Sequence, residues 1–119
     1  MIDLSTEKES QLPSLIDNLS TSILVLSPEL LIEYMNPAAE VLFAASSRRS
    51  IGQSVKDLLP AEPAFIERIR EVLSTGQGFT QHELALVLTE DKRITVHCSV
   101  NTEDSGRQQR LLVEMKQLD

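Results

Sequence analysis

A stripe of apolar positions near the start of the chain has the spacing of a helix. Its members recur at i, i+3, i+4 and i+7 and are Leu12, Leu15, Ile16 and Leu19. Pro13 would lie in the first turn of this helix, where a missing N–H is tolerated. Since each fully buried aliphatic side chain contributes roughly 1.5–3 kcal/mol, we expect the stripe to cover a sheet face or to meet a second subunit. The spacing alone leaves these two alternatives open.

A hairpin is predicted directly after this stripe. Two apolar runs, at 23–26 and at 30–35, are separated by Ser27, Pro28 and Glu29. These three residue types favour a turn, and short apolar runs on either side of a turn favour strands. Two paired strands are therefore the simplest structure for residues 23–35.

The second run ends at a signal for the start of a helix. The side chain of Asn36 can accept hydrogen bonds from exposed helix N–H groups, and Pro37 lies where no donor is needed. Ala38 and Ala39 are small enough to let this helix, predicted to continue through Phe43, approach a sheet closely. The role expected for residues 36–39 is that of an architectural cap.

The middle of the chain is predicted to be helical and interrupted. Residues 46–53 favour irregular or one-turn structure, and residues 54–59 begin with capping-box spacing, which favours a short helix. A longer helix is predicted over 63–75, with Gly76 at its end. Its apolar face consists of Phe65, Ile66, Ile69, Val72 and Leu73.

The last third of the chain alternates between apolar and polar positions, which predicts three strands. The inward positions are Leu84, Leu86, Leu88, Ile94, Val96, Cys98, Val100, Leu111, Val113 and Met115. A turn over 89–91 would pair position 88 with position 92, and a turn at Asp104, Ser105 and Gly106 would lead to the final strand at 109–116. We predict an α+β fold: a five-stranded antiparallel sheet with short helices and one longer helix on one face, plus the N-terminal helix.

The composition of the chain disfavours some classes of partner and indicates a cellular location. The 119 residues carry a net charge of −7 and few aromatic side chains, which disfavours nucleic acid and anionic membrane surfaces. Residues 1–11 are polar and acidic, so we expect a flexible lead-in without a signal peptide, followed by a single domain over 12–119. No apolar run exceeds five residues, whereas a membrane span needs roughly 20. A cytoplasmic protein is the expectation.

Candidates for metal binding and catalysis are few. In the predicted register His82 lies opposite Cys98 on the inner face, while His97 points outward and could meet Glu83. Two ligands do not form a structural zinc site, which normally has four. No nucleophile with an adjacent base stands out either. We therefore expect no metal, no cofactor and no catalytic residue in this chain.

Two segments carry a resemblance to a known family. The order of elements, with Asn36-Pro37-Ala38-Ala39-Glu40 after the second strand and Ile51-Gly52-Gln53-Ser54 further on, resembles the PAS sensor-domain family from about Leu12 to Lys116. More particularly, residues 12–19 followed by residues 23–26 and the Asn-Pro-Ala-Ala-Glu segment are similar to the N-terminal PAS domains of nitrogen-regulation sensor histidine kinases.

This resemblance implies a sensory and dimerisation module without catalysis of its own. Kinases of this family are cytosolic homodimers that phosphorylate the response regulator NtrC under the control of a PII-type protein. Their catalytic core lies beyond the PAS domain, and this chain stops at Asp119 without a phosphoacceptor-histidine helix or a glycine-rich ATP segment. We therefore expect a parent kinase core in cis. Haem-binding relatives use a histidine on the long helix, and flavin-binding relatives use a helical cysteine, which residues 63–75 and Cys98 do not supply.

An alternative remains open at this point. The chain could be a PAS domain of another bacterial-type regulator that senses a small metabolite or carboxylate. Arg48 and Arg49 could bind a carboxylate, because a guanidinium group pairs with it through two hydrogen bonds. A cavity lined by residues such as Phe65 and Ile69 could hold such a ligand between sheet and helices.

Overall fold

Five antiparallel strands form one sheet in the computed structural model, which describes residues 20–104 and 108–118. The strand order across the sheet is β2-β1-β5-β4-β3, so the first and last strands of the chain are neighbours. The strands are β1 (Thr21–Leu26), β2 (Ile32–Met35), β3 (Phe79–Thr89), β4 (Lys92–Glu103) and β5 (Arg110–Gln117). The predicted helix over 12–19 and the turn residues Ser105 and Gly106 lie outside the described residues.

The helices are α1 (Pro37–Phe43), α2 (Ser47–Ser50) and α3 (Pro63–Thr75), with a 3₁₀ turn at Val55–Asp57 between the last two. Proline begins both α1 and α3, as expected where the N–H has no partner. Helix α3 ends at Gly76, whose φ of 72° is the left-handed conformation that favours glycine. The interrupted helical pattern predicted from the sequence is thus confirmed.

The hydrophobic core lies between the helices and one face of the sheet. Leu24 of β1, Val96 of β4 and Val113 of β5 are at most 1% exposed on that inner face, and Ile69 of α3 is fully buried against them. The α+β fold with helices on one face is therefore confirmed. Burial of apolar residues from both layers is its main stabilising contribution.

The turn between β1 and β2 is longer than the sequence predicted. Leu30 has a φ of 65° and is nearly fully buried, so it belongs to the turn although its side chain enters the core. The hydroxyl of Ser27 accepts hydrogen bonds from the N–H groups of Glu29 and Leu31, which fixes this conformation. Strand β2 consequently begins at Ile32.

A β-bulge in β3 changes the predicted register. Gln81, rather than His82, pairs with Cys98, and His82 and Glu83 together lie opposite His97. The prediction that His82 faces Cys98 inside the sheet is therefore wrong, because one extra residue in β3 reverses the side-chain alternation at this point.

A second register shift lies beside the turn between β3 and β4. Lys92 pairs with Thr89, so the connecting loop has two residues and Leu88 is the extra residue. The predicted pairing of position 88 with position 92 is wrong for this reason. Leu86 nevertheless pairs with Ile94, as the predicted register requires, and both are buried.

Candidate functional site

The buried side chain of Asn36 joins the start of α1 to strand β1. Its Oδ1 accepts hydrogen bonds from the N–H groups of Ile23 and Ala39, both at 2.9 Å, and its Nδ2 donates to the carbonyl oxygen of Thr21 at 3.0 Å. The N–H of Asn36 also donates to the carbonyl oxygen of Ile23. One amide thus caps the helix, as the sequence predicted, and also fixes the strand, which the sequence did not reveal.

The residues that Asn36 holds are paired with the last strand. Thr21 lies opposite Lys116 and Ile23 lies opposite Glu114 in the β1–β5 register. We call the region formed by residues 21–23, 36–39 and 114–116 the strand-end junction. The place where the described chain begins is therefore connected, through backbone pairing, to the place where β5 ends.

A groove of about 360 Å³ opens beside this junction. Both ends of the described chain contribute to its wall, through Ser20 and Gln117. Val41 of α1 is 77% exposed at the groove. The remaining lining residues are Ser22, Pro37, Ala38, Leu42 and Met115.

The outer face of the sheet carries an apolar patch. Ile23 and Val25 alternate with the buried positions of β1, and Leu112 alternates with those of β5. Val25 pairs with both Leu112 and Tyr34, so these side chains are neighbours. We call these four residues the outer-face patch; all are half-buried or exposed. The signal for it was the apolar run at 23–26, which is apolar at both parities and so indicates two covered faces.

The residues considered for a carboxylate ligand lie in separate parts of the described fold. Arg48 and Arg49 are exposed on α2 and line none of the grooves described for this chain. Phe65 and Ile69 are packed in the core. The ring of Phe65 meets that of Phe79 edge to face, with 6.4 Å between the ring centroids. A smaller groove of about 200 Å³ lies between the 3₁₀ turn and α3, outside that packed region.

The single cysteine, Cys98, is buried and has low reactivity. Burial raises the pKa of the Cys98 thiol to about 12, although the positive charge of Arg68 partly opposes this shift. A neutral, buried thiol is a poor nucleophile and a poor metal ligand. Within residues 20–104 and 108–118, no cluster of three or more His, Cys, Asp or Glu side chains is placed to hold a metal ion.

The two histidines lie together on the outer face of the sheet. Their ring centroids are 4.9 Å apart, with the ring planes inclined by 50°. The bulge in β3 produces this contact, because it places His82 against His97 rather than inside the sheet. Sequence periodicity could not predict the pair, since a bulge interrupts the two-residue alternation on which the prediction depends.

Comparison with known proteins identifies the class to which this architecture belongs. The family described as PAS fold matches residues 16–117. A structure of the PAS domain of an HTR-like protein from Haloarcula marismortui shares the fold, with a TM-score of 0.74 at 17% identity over 94% of this chain and 98% of that one. The chain belongs to the PAS family and is a sensory module of that type.

Within this family, the chain is similar to the PAS domains of nitrogen-regulation kinases. The PAS domain of nitrogen regulation protein NR(II) from Vibrio parahaemolyticus has a TM-score of 0.73 and 30% identity, covering 89% of this chain and 96% of that one. The sensory histidine kinase/phosphatase NtrB of Vibrio alginolyticus is 31% identical over 112 residues, 93% of this chain and 32% of the kinase. The corresponding NtrB of Salmonella typhimurium is 40% identical over 80 residues, 67% of this chain and 23% of the kinase.

The chain corresponds to only a part of these relatives. The chain is homologous to the PAS domains of NtrB kinases and spans between about a quarter and a third of the length of the two NtrB proteins compared above. In the part of the chain that the structure describes, no helix has both the length and the apolar character needed to cross a bilayer.

Proposed function

We propose that this chain is the sensory and dimerisation module of a cytoplasmic histidine kinase of nitrogen regulation. The kinase core would follow in cis, and the response regulator NtrC and a PII-type protein would be partners of the whole protein. Homology to NtrB PAS domains supports this role. The observation that carries the proposed mechanism is the strand-end junction, where Asn36 binds residues that pair directly with β5.

The input to this module is the apolar stripe of residues 12–19. Leu12, Leu15, Ile16 and Leu19 immediately precede β1 in sequence, and the outer-face patch offers them an apolar surface of matching character. We propose that the stripe packs between this patch and a second copy of the chain. Movement of the stripe would then shift β1, and β5 would transmit the shift because the two strands share a ladder of hydrogen bonds.

This chain supplies no reacting group in the proposed mechanism. Its one thiol is buried with a raised pKa, and Asn36, which holds the junction together, is a neutral amide that acts only through hydrogen bonds. Its contribution is to change the relative stability of two states of the kinase core, which requires only that the two states differ in how β5 and the following segment are held.

Charge placed on the stripe tests this proposal. In the full-length protein that carries this domain, the double substitution Leu12→Asp and Ile16→Asp should abolish dimerisation through this domain and change the ratio of kinase to phosphatase activity. Sedimentation velocity of the isolated chain and phosphotransfer assays of the full protein measure the two effects. The double substitution Ser14→Asp and Asn18→Asp is the matched control, because it adds the same two charges, also four residues apart, on the opposite side of the predicted helix. An unchanged dimer and unchanged activities in the double variant would refute the proposal.

A second candidate function rests on the groove beside the junction. Its volume of about 360 Å³ is that of a small-ligand site, since such pockets span roughly 300–1,000 Å³. In this alternative the groove binds a metabolite and the bound state is passed to β5. Native mass spectrometry of the purified chain separates the alternatives: a retained small molecule, lost on Val41→Asp, would favour ligand sensing over the dimerisation mechanism.

A further inference from the structure

The imidazoles of His82 and His97 lie close enough together for both to bind one cation. Their centroids lie 4.9 Å apart and their planes are inclined. A tetrahedral ion with metal–nitrogen distances of about 2.0–2.1 Å holds two ligand nitrogens roughly 3.3–3.4 Å apart. At this centroid separation, rotation of the two rings can bring one nitrogen of each to that spacing. The β-bulge holds the two rings on adjacent strands, so the pair is assembled before any ion binds.

We propose that His82 and His97 form a two-ligand site for a divalent late transition-metal cation such as Zn²⁺, Ni²⁺ or Cu²⁺. Imidazole nitrogen suits these ions, whereas Mg²⁺ and Ca²⁺ prefer oxygen ligands. No third His, Cys, Asp or Glu joins the two rings among the described residues. Water therefore fills the remaining coordination positions, as in metal sites that keep open positions.

The surroundings of the pair leave room for a hydrated ion. A groove of about 220 Å³ adjoins His97 on the outer face of the sheet and is lined also by Thr21, Ser99, Glu114 and Lys116. Its oxygen-bearing side chains can accept hydrogen bonds from metal-bound water, which orients and stabilises such a site.

The nearby charges are mixed and include one unfavourable group. Lys116 pairs directly with His97 across β4 and β5, and its ammonium group opposes a bound cation. Its side chain is exposed on a long flexible stem, so it can turn toward solvent. Glu114 lines the groove beside His97, and Glu83 shares with His82 the position opposite His97, so both bring negative charge to this region. Two negative groups against one positive group favour a divalent ion.

Competing ligands within the described chain are weak. His82 and His97 are its only histidines. Cys98 neighbours His97 in sequence but lies on the inner face of β4, fully buried in the core. A metal bound by imidazole on this chain is therefore assigned to the outer-face pair.

Titration of the tag-free chain with Zn²⁺ and Ni²⁺ chlorides tests the site. Isothermal calorimetry near neutral pH should show saturable one-to-one binding, and Mg²⁺ should show none. His82→Gln and His97→Gln should each raise the dissociation constant by about tenfold or more, and to a similar level, since one imidazole remains in each. Lys116→Gln is the control for disturbance of this face: it should bind at least as tightly as the unchanged chain.

A second measurement separates loss of ligand from loss of fold. Paramagnetic Ni²⁺ should broaden the amide resonances of residues around positions 82 and 97 before any others in the unchanged chain. The variants should keep the amide spectrum of the fold without this selective broadening. Absence of saturable binding at millimolar metal, an affinity in the histidine variants equal to that of the unchanged chain, or broadening centred elsewhere would each overturn the proposal.

Discussion

Replacement of Asn36 by alanine should destabilise this domain more than the loss of an ordinary helix cap. The Asn36 side chain is fully buried and makes three hydrogen bonds, to the N–H groups of Ile23 and Ala39 and to the carbonyl oxygen of Thr21. Asn36→Ala removes these hydrogen bonds at once and leaves the backbone groups of Ile23, Ala39 and Thr21 without them.

The expected magnitude follows from the groups left without partners. Each buried donor or acceptor that loses its hydrogen bond costs about 1–3 kcal/mol, whereas an exposed N-cap replaced by alanine costs about 0.5–2 kcal/mol. Partial relaxation makes the simple sum an upper bound, so we expect a loss of about 3–5 kcal/mol in the free energy of unfolding. That is a large share of the roughly 5–15 kcal/mol of a typical domain.

Urea unfolding followed by circular dichroism measures this loss, with Ser46→Ala as the matched control. Ser46 caps α2 through one exposed hydrogen bond of 3.4 Å, so its replacement should cost less than about 1 kcal/mol. Asn36→Asp is informative as well: it keeps the acceptor for Ile23 and Ala39 but places an oxygen against the carbonyl of Thr21. It should therefore also destabilise. Equal losses for Asn36→Ala and Ser46→Ala would refute the role assigned to the buried amide.

Three further outcomes are expected from local geometry. A methyl group at Gly78 would overlap the carbonyl oxygen of the neighbouring strand β4, so Gly78→Ala should cost about 1–3 kcal/mol in urea unfolding. A methyl group at Gly52 would enter open space, so Gly52→Ala carries only the cost of a positive φ, about 1 kcal/mol. Its loss of stability should therefore be smaller than that of Gly78→Ala. Burial raises the pKa of Cys98 from 9.0 to about 12, so between these values the unfolded chain binds fewer protons and stability should fall as pH rises; Cys98→Ala should weaken that fall. Glu62→Ala removes the acceptor that binds the N–H of Val87 at 2.8 Å and should speed hydrogen exchange there, whereas Glu62→Gln should largely preserve protection. A loss of stability in Gly52→Ala that equals or exceeds that in Gly78→Ala, an unchanged alkaline slope in Cys98→Ala, or equal exchange at Val87 in both Glu62 variants would contradict the respective argument.

Much of the fold was predictable because its signals are local. Asn36 and Pro37 define the start of α1 through hydrogen bonding and ring geometry that depend on neighbouring residues alone. The apolar face of α3 and the glycine after it are likewise contained within one segment. The strand-end junction was predictable only in part. The cap can be inferred from sequence, but the bonds from Asn36 to β1 depend on how the hairpin folds back onto the helix.

The histidine pair shows what local patterns cannot supply. Alternation along β3 predicts an inward His82, and the prediction fails because Gln81 takes that place and two residues of β3 share one position opposite β4. A bulge is selected by the fit of two strands over their whole length, including the second irregularity beside the loop at Glu90 and Asp91. Information of that kind belongs to the strand pair and is not contained in either strand alone.

The strand order provides a short path for the proposed signal, because β1, which follows the apolar stripe, is adjacent to β5. In the proposed module, displacement of the residues before Ser20 would act on Thr21, whose partner Lys116 on the adjacent strand is one residue from the end of β5. A route through α3 would instead have to cross the core, where packing of buried side chains resists small shifts. If the proposed module works this way, a disulfide between β1 and β5, introduced at the facing positions Thr21 and Lys116, should hold the full-length protein in one activity state. A cavity in α3, such as Ile69→Ala, should lower stability by about 2–5 kcal/mol while leaving the balance of activities in the folded fraction unchanged.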